Sequence, residues 1–207
     1  LGLPHAEPMT FLALRFVLVA GALGLWAALA GAPWPRPGQI RDQALVGLLL
    51  HGLYLGGVFT AIWLGTEAGL AALIVGLQPV ATALIARQVL GERLVGAQWL
   101  GMALGFAGVG LVVWQKLGAG IGDWRGIALC VMALVAIAAG SVLQKLRGGD
   151  TPLRTGAVVQ FAAAAVLTGL LALLLEDRRI DWTRDFVFAL SWLVLVLSLG
   201  AISLLIW

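Results

Sequence analysis

Charge and sulfur are scarce in this chain. Asp, Glu, Lys and Arg make up 11% of its 207 residues, against about 25% in soluble domains. There is one cysteine, Cys130, inside an apolar stretch. It excludes an intrachain disulfide and a cysteine-built metal site, and it reads as a small packed residue. The only lysines are Lys116 and Lys145, both near the ends of apolar stretches, which argues against a mid-helix retinal Schiff base. No nucleotide loop, zincin motif or paired-cysteine site is present. There is no arginine series of the voltage-sensor kind and no repeated filter sequence with glycines around a central Tyr. The net charge is +3, but nucleic-acid binding needs a dense basic stripe, and there is none. The first ten residues hold Pro4, Glu7 and Pro8 and no basic run, so no signal peptide is read there. The chain therefore reads as a non-enzyme, with no catalytic set, no cofactor and no metal.

What is abundant is apolar sequence. Hydrophobic residues make up 61% of the chain. They gather into seven stretches, roughly 10–30, 43–64, 68–90, 94–114, 124–144, 155–175 and 186–207. At about 1.5 Å per residue, each can cross a hydrocarbon core of roughly 30 Å. Barrel strands are about half as long and alternate in polarity, whereas these runs are apolar at nearly every position. Helices are the direct way to satisfy the backbone in lipid. The expected fold class is an all-α polytopic membrane protein, a bundle of seven transmembrane helices.

The joints are short and polar. Pro33, Pro35 and Pro37 stop the first helix. Gly65-Thr66-Glu67 and Gly91-Glu92-Arg93 read as tight turns, and 117–123, 147–152 and 176–181 as longer breaks. Short joints make successive helices antiparallel neighbours. The side bearing Arg36 and Arg41 then collects seven basic residues against six on the other. By the positive-inside rule the Arg36/Arg41 side is placed in the cytoplasm.

Two segments echo each other. Arg41-Asp42 and Ile62-Trp63 recur as Arg184-Asp185 and Ile206-Trp207, 143 or 144 residues further on. With an odd number of helices between copies, such repeats are inverted, as in many secondary transporters. The 28 glycines include pairs four apart, Gly52/Gly56, Gly65/Gly69 and Gly101/Gly105, a spacing that lets helices approach closely.

A few polar groups lie within the apolar runs. Arg15 must face protein, water or headgroups, because a charge in lipid costs several kcal/mol; it reads either as a snorkelling interface residue or as a group that anchors the bundle mouth or attracts an anion. His51 and Tyr54 are three apart near the middle of the second run, as a polar-solute or proton site or as an interhelical tie. Gln78 precedes Pro79, which frees a carbonyl one turn earlier and kinks the helix beside the amide; Thr82 lies one turn on. Glu92 at its joint reads as a structural or gating residue. Ser191 and Trp192 offer a hydroxyl and a flat face in the last run. Trp26, Trp63, Trp99, Trp114 and Trp182 read by depth as membrane-girdle residues.

The sequence resembles the EamA family of the drug/metabolite transporter superfamily. The matching pieces are Leu14-Arg15-Phe16, Leu77-Gln78-Pro79-Val80, Gly91-Glu92-Arg93 and the glycine-rich helix 101–113. The resemblance implies a ten-helix carrier of two inverted five-helix repeats. Residues 1–116 would then hold four helices of the first repeat and 117–207 three of the second, with helices one, nine and ten absent. The missing initiator Met and the apolar end at Trp207 are read in the same way, as marks of a piece of a longer protein.

The expected function is export of small organic metabolites, amino acids or drug-like solutes by alternating access, in a bacterial inner (plasma) membrane. His51, Tyr54, Gln78, Ser191 and Trp192 would line the path, while Arg15, Pro79 and Glu92 would serve structure or gating. The expected partners are the solute, membrane lipid and protons as a coupling ion, with no nucleic acid. A receptor that does not transport, or a structural membrane subunit, is the alternative.

Overall fold

Three helices open with a proline at the first or second position, which leaves one fewer backbone N–H in need of a capping acceptor. Pro8, Pro37 and Pro79 sit in the first turns of their helices, where the missing N–H costs nothing and the fixed φ is already helical. A computed structural model describes residues 4–91, 94–118 and 123–200. The elements are α1 (Pro8–Leu29), α2 (Pro37–Gly47), a π-helical stretch π1 (Leu48–Leu53), α3 (Tyr54–Trp63), α4 (Ala68–Val75) and α5 (Gln78–Leu90). They continue as α6 (Gly96–Gly118), α7 (Trp124–Arg147), α8 (Leu153–Leu175), α9 (Arg184–Trp192) and a second stretch π2 (Leu193–Gly200). Among the described residues the only β pairing is an isolated bridge between Ala6 and Ile180.

Among the described residues, six spans are long and apolar enough to cross a membrane: Pro8–Leu29, Pro37–Trp63, Ala68–Leu90, Gly96–Lys116, Trp124–Arg147 and Leu153–Leu175. The seventh apolar run forms α9 and π2, and residues 201–207 lie outside the described ones. Large apolar side chains cover the outside of the helices: Leu29, Leu104, Leu111, Leu170, Leu174 and Leu175 are all exposed. Water would penalise such a surface, and lipid does not. The protein is an all-α polytopic membrane protein.

The chain divides into two compact units. The first comprises Leu1–Gly52 with Leu143–Trp207, the second Leu53–Val142. In the first unit α1 and α2 both pack along α8, and π2 packs on α1. Phe11, Leu12, Phe16, Val19 and Leu23 of α1 are fully buried there, with Phe11 edge-on to Phe186 at 5.6 Å. Gly47 sets the approach of α2 to α8, because a Cβ at this position would fall onto the Gln160 backbone.

Polar stitches close both ends of this unit. At one, Glu176 accepts from Met9 N, Thr10 N and Thr10 Oγ1, each at 2.7 Å. The carboxylate thereby caps the N-terminus of α1, where its charge also meets the positive end of the helix dipole. Arg178 N donates to Glu7 at 2.8 Å, and Asp181 N to the His5 carbonyl at 2.8 Å. At the other end Arg147 pairs with Asp42 at 2.9 Å, Thr155 Oγ1 donates to the Pro33 carbonyl at 2.7 Å, and Arg154 lies over Trp26.

In the second unit α3 packs on α4 and α4 on α6. Ala61, Leu70, Ala71, Ile74 and Cys130 are its buried core. Gly57 lies against the Leu129 carbonyl and Ala133 of α7. The turn between α3 and α4 needs Gly65, whose φ is +96°, and Thr66 N then reaches back to the Ala61 carbonyl. Lys116 pairs with Glu67 at 2.7 Å.

Candidate functional site

The polar groups of the first unit converge at the seam between α1, α2, α7 and α8. Arg15 of α1 is 8% exposed. His51 lies within π1, and π-helical turns inside α-helices are frequent at functional sites. Its ring is stacked on Phe161 with centroids 4.3 Å apart and planes 17° apart, and Phe16 lies 6.1 Å away at a tilt. The Arg15 guanidinium lies 5.8 Å from the centre of the same Phe16 ring.

Gln160 is the hub of a glutamine ladder. Its Nε2 donates to Gln43 Oε1 at 2.5 Å and to Gln144 Oε1 at 3.1 Å. Gln43, 1% exposed, donates in turn to Thr151 Oγ1 at 3.3 Å. One row of amides thus joins α2, α7 and α8 and runs from the neighbourhood of His51 to the loop before α8. Buried amides are stable only when bonded, and an unmet donor or acceptor costs about 1–3 kcal/mol.

In the second unit the helix breaks at Gly76 and Leu77, between α4 and α5, directly before Gln78 and Pro79. Gln78 Nε2 donates to Ser141 Oγ of α7 at 3.5 Å, and Ser141 donates to its own helix at the Ile137 carbonyl. Thr60 and Thr82 have buried hydroxyls without a hydrogen-bond partner among the described residues. Tyr54 opens α3 and is half-buried.

Of the residues singled out in the sequence, His51 and Arg15 come together in the first unit. Gln78 and Pro79 stand at the helix break of the second, the unit that also holds Tyr54. Ser191 and Trp192 are exposed, with Trp192 stacked on Phe188 at 6.1 Å. Glu92 lies outside the described residues. Gln43, Gln144 and Gln160 were not anticipated. Their signal was a row at four-residue steps, Gln43, Gly47 and His51, and two amides near or within otherwise apolar helices. No group of three or more His, Cys, Asp or Glu able to hold a metal occurs among the described residues.

A helical membrane protein with a discontinuous helix and a buried cluster of polar side chains has the general architecture of solute carriers. The profile of the EamA-like transporter family matches residues 1–114, and the chain belongs to that family. It is 30% identical over 150 residues to the uncharacterized transporter sll0355 of Synechocystis, covering 64% of this chain and 45% of the relative. It is 30% identical over 145 residues to a probable amino-acid metabolite efflux pump of Escherichia coli, covering 70% of this chain and 46% of the relative. The chain thus spans about half the length of these curated relatives. A protein of known crystal structure shares the fold, with a TM-score of 0.63 and 21% identity, covering 91% of this chain and 65% of that one.

Proposed function

We propose that this chain acts in secondary transport, exporting small organic solutes, amino acids foremost, by alternating access. The observation that carries the reading is a cluster of polar side chains within an apolar bundle, Arg15 and Gln43 buried and His51 and Gln160 half-buried. Burying such groups is costly, and transporters retain them where a polar solute must be held. Membership of a transporter family supports it, as does likeness to a relative described as a probable amino-acid metabolite efflux pump. His51, Tyr54, Gln78, Ser191 and Trp192 are the proposed path, Arg15, Pro79 and Glu92 its supports, and His51 the group for proton coupling. The repeated Arg-Asp pairs, each followed by a π-helical stretch within a few residues, support an inverted repeat and a ten-helix carrier. The proposed location is a bacterial inner membrane.

One observation favours a second reading. Gln78 bonds directly to Ser141 and His51 stacks directly on Phe161, contacts that a structural membrane subunit would also make. Flux of a panel of radiolabelled amino acids into inverted vesicles carrying the full-length protein separates the two. Accumulation above empty vesicles is expected for the transporter. Its absence for every solute tried, with normal membrane insertion, would favour the subunit.

A further inference from the structure

One face of α2 is fastened by its side chains to the joint between α7 and α8, all within the first unit. Gln39, Asp42, Gln43, Val46 and Gly47 recur at steps of three and four and so share that face. Gln39 Nε2 donates to the Asp150 carbonyl at 3.1 Å, while its Oε1 accepts from Arg36 N at 2.8 Å at the start of the helix. Asp42 pairs with Arg147 at 2.9 Å, and Gln43 Nε2 donates to Thr151 Oγ1 at 3.3 Å. The Gln39 and Asp42 bonds are exposed, whereas the Gln43 bond behind them is buried. Water can replace the outer two, because exposed polar links contribute little. The opposite end of the unit is built differently. There the main chain itself is bonded: Glu176 accepts from Met9 N and Thr10 N, Asp181 N donates to the His5 carbonyl, and Ala6 bridges Ile180. Parting that end would leave backbone donors unmet, which costs more than wetting side chains.

We propose that Gln39, Asp42 and Gln43 form a releasable clasp, the gate of the first unit, and that the Glu176 end stays closed. α2 is a lever of 11 residues. At its inner end Gly47 touches α8, since a Cβ there would fall onto the Gln160 backbone. The π-helical stretch Leu48–Leu53 follows directly, and helices bend at such windings. At its outer end Thr155 Oγ1, bonded to the Pro33 carbonyl at 2.7 Å, keeps the preceding loop on α8. The clasp therefore opens by a tilt of α2 between these two points and not by its detachment. Burial sets the order of release. Asp42 leaves Arg147 first and wets the outer seam; Gln43 then leaves Thr151 and exposes its bond to Gln160. The purpose of the movement rests on the transport reading, in which one end of the path must open, but release of the seam can be observed without it.

The test uses the full-length protein with its native cysteines replaced by serine. Val46→Cys places a thiol behind the clasp, at a position 1% exposed. In detergent micelles a water-soluble maleimide should label it slowly. Asp42→Asn should speed the labelling about threefold to fivefold, the range for loss of one exposed ion pair. Asp42→Arg combined with Arg147→Asp should slow it again. Should Asp42→Asn fail to fold, Arg147→Gln breaks the same pair. In inverted vesicles, Asp42→Cys/Arg147→Cys bridged by a bis-methanethiosulfonate should lose most of its amino-acid flux and regain it on addition of a reductant. The same bridge across Glu7→Cys/Arg178→Cys, at the opposite end, should leave flux in place. Labelling that neither Asp42→Asn nor Arg147→Gln accelerates would overturn the proposal. So would flux that persists through the bridge between positions 42 and 147. An absent flux in the unbridged protein would count against the transport reading, and the labelling rates would then decide the clasp alone.

Discussion

Gln160 on α8 and Gln43 on α2 share a hydrogen bond of 2.5 Å, across 117 residues of sequence and beside a glycine that lets their helices touch. The bond and the glycine belong together. Without a hydrogen at position 47 the two helices would stand further apart, and the amides would not meet.

Gly47→Ala is therefore expected to destabilise the protein by about 3 kcal/mol or more, because the new methyl meets backbone that cannot rotate away. Gly101 on α6 has no atom near the site of a Cβ, and Gly101→Ala should be neutral or gain up to about 1 kcal/mol from helix propensity. Denaturation of both variants in detergent, followed by circular dichroism, checks the contrast.

Gln43→Leu should cost about 1–3 kcal/mol by orphaning a Gln160 donor and removing the donor to Thr151. The double variant Gln43→Leu/Gln160→Leu should cost less than the sum of the two singles, since the second change removes the orphan. An additive cycle would mean that the ladder carries no coupling.

Glu176→Gln keeps the size of the cap on α1 but removes its charge and one of its two accepting oxygens, and is expected to cost about 1–3 kcal/mol. Hydrogen exchange at the Met9 and Thr10 amides should accelerate in this variant before exchange anywhere in α8 does.

Cys130 is fully buried against α3 and α4 in the second unit. A maleimide added to the folded protein in detergent should leave it unlabelled over the time in which denatured protein labels completely. Rapid labelling of the native form would contradict the packing of that core.

Much of the fold was legible in the sequence because lipid imposes a single requirement, a helix long enough to span it. The six spans lie close to the apolar runs, and the proline and glycine joints fall between helices, as at Pro33 and Gly91. Gly91 ends α5 in the left-handed conformation, with φ +68°. The π-helical winding at His51 was not legible, since no local residue pattern demands an extra residue per turn. His51 and Arg15 stood out as rare polar groups in apolar surroundings, which is a one-dimensional signal. The glutamine ladder was hidden because it exists only when α2, α7 and α8 are brought to one seam, and that depends on Gly47. Ser191 and Trp192 show the complementary difficulty. Depth along a run can be read from sequence, but the side of the helix that a residue occupies cannot when every side is apolar.

The most direct test is amino-acid flux in inverted vesicles containing equal amounts of full-length wild type, His51→Ala and Gln78→Ala. The account predicts uptake by the wild type, and for His51→Ala a loss of at least about tenfold, equivalent to about 1.4 kcal/mol, with insertion unchanged. Gln78→Ala should be impaired as well. Flux in His51→Ala equal to that of the wild type would contradict the account.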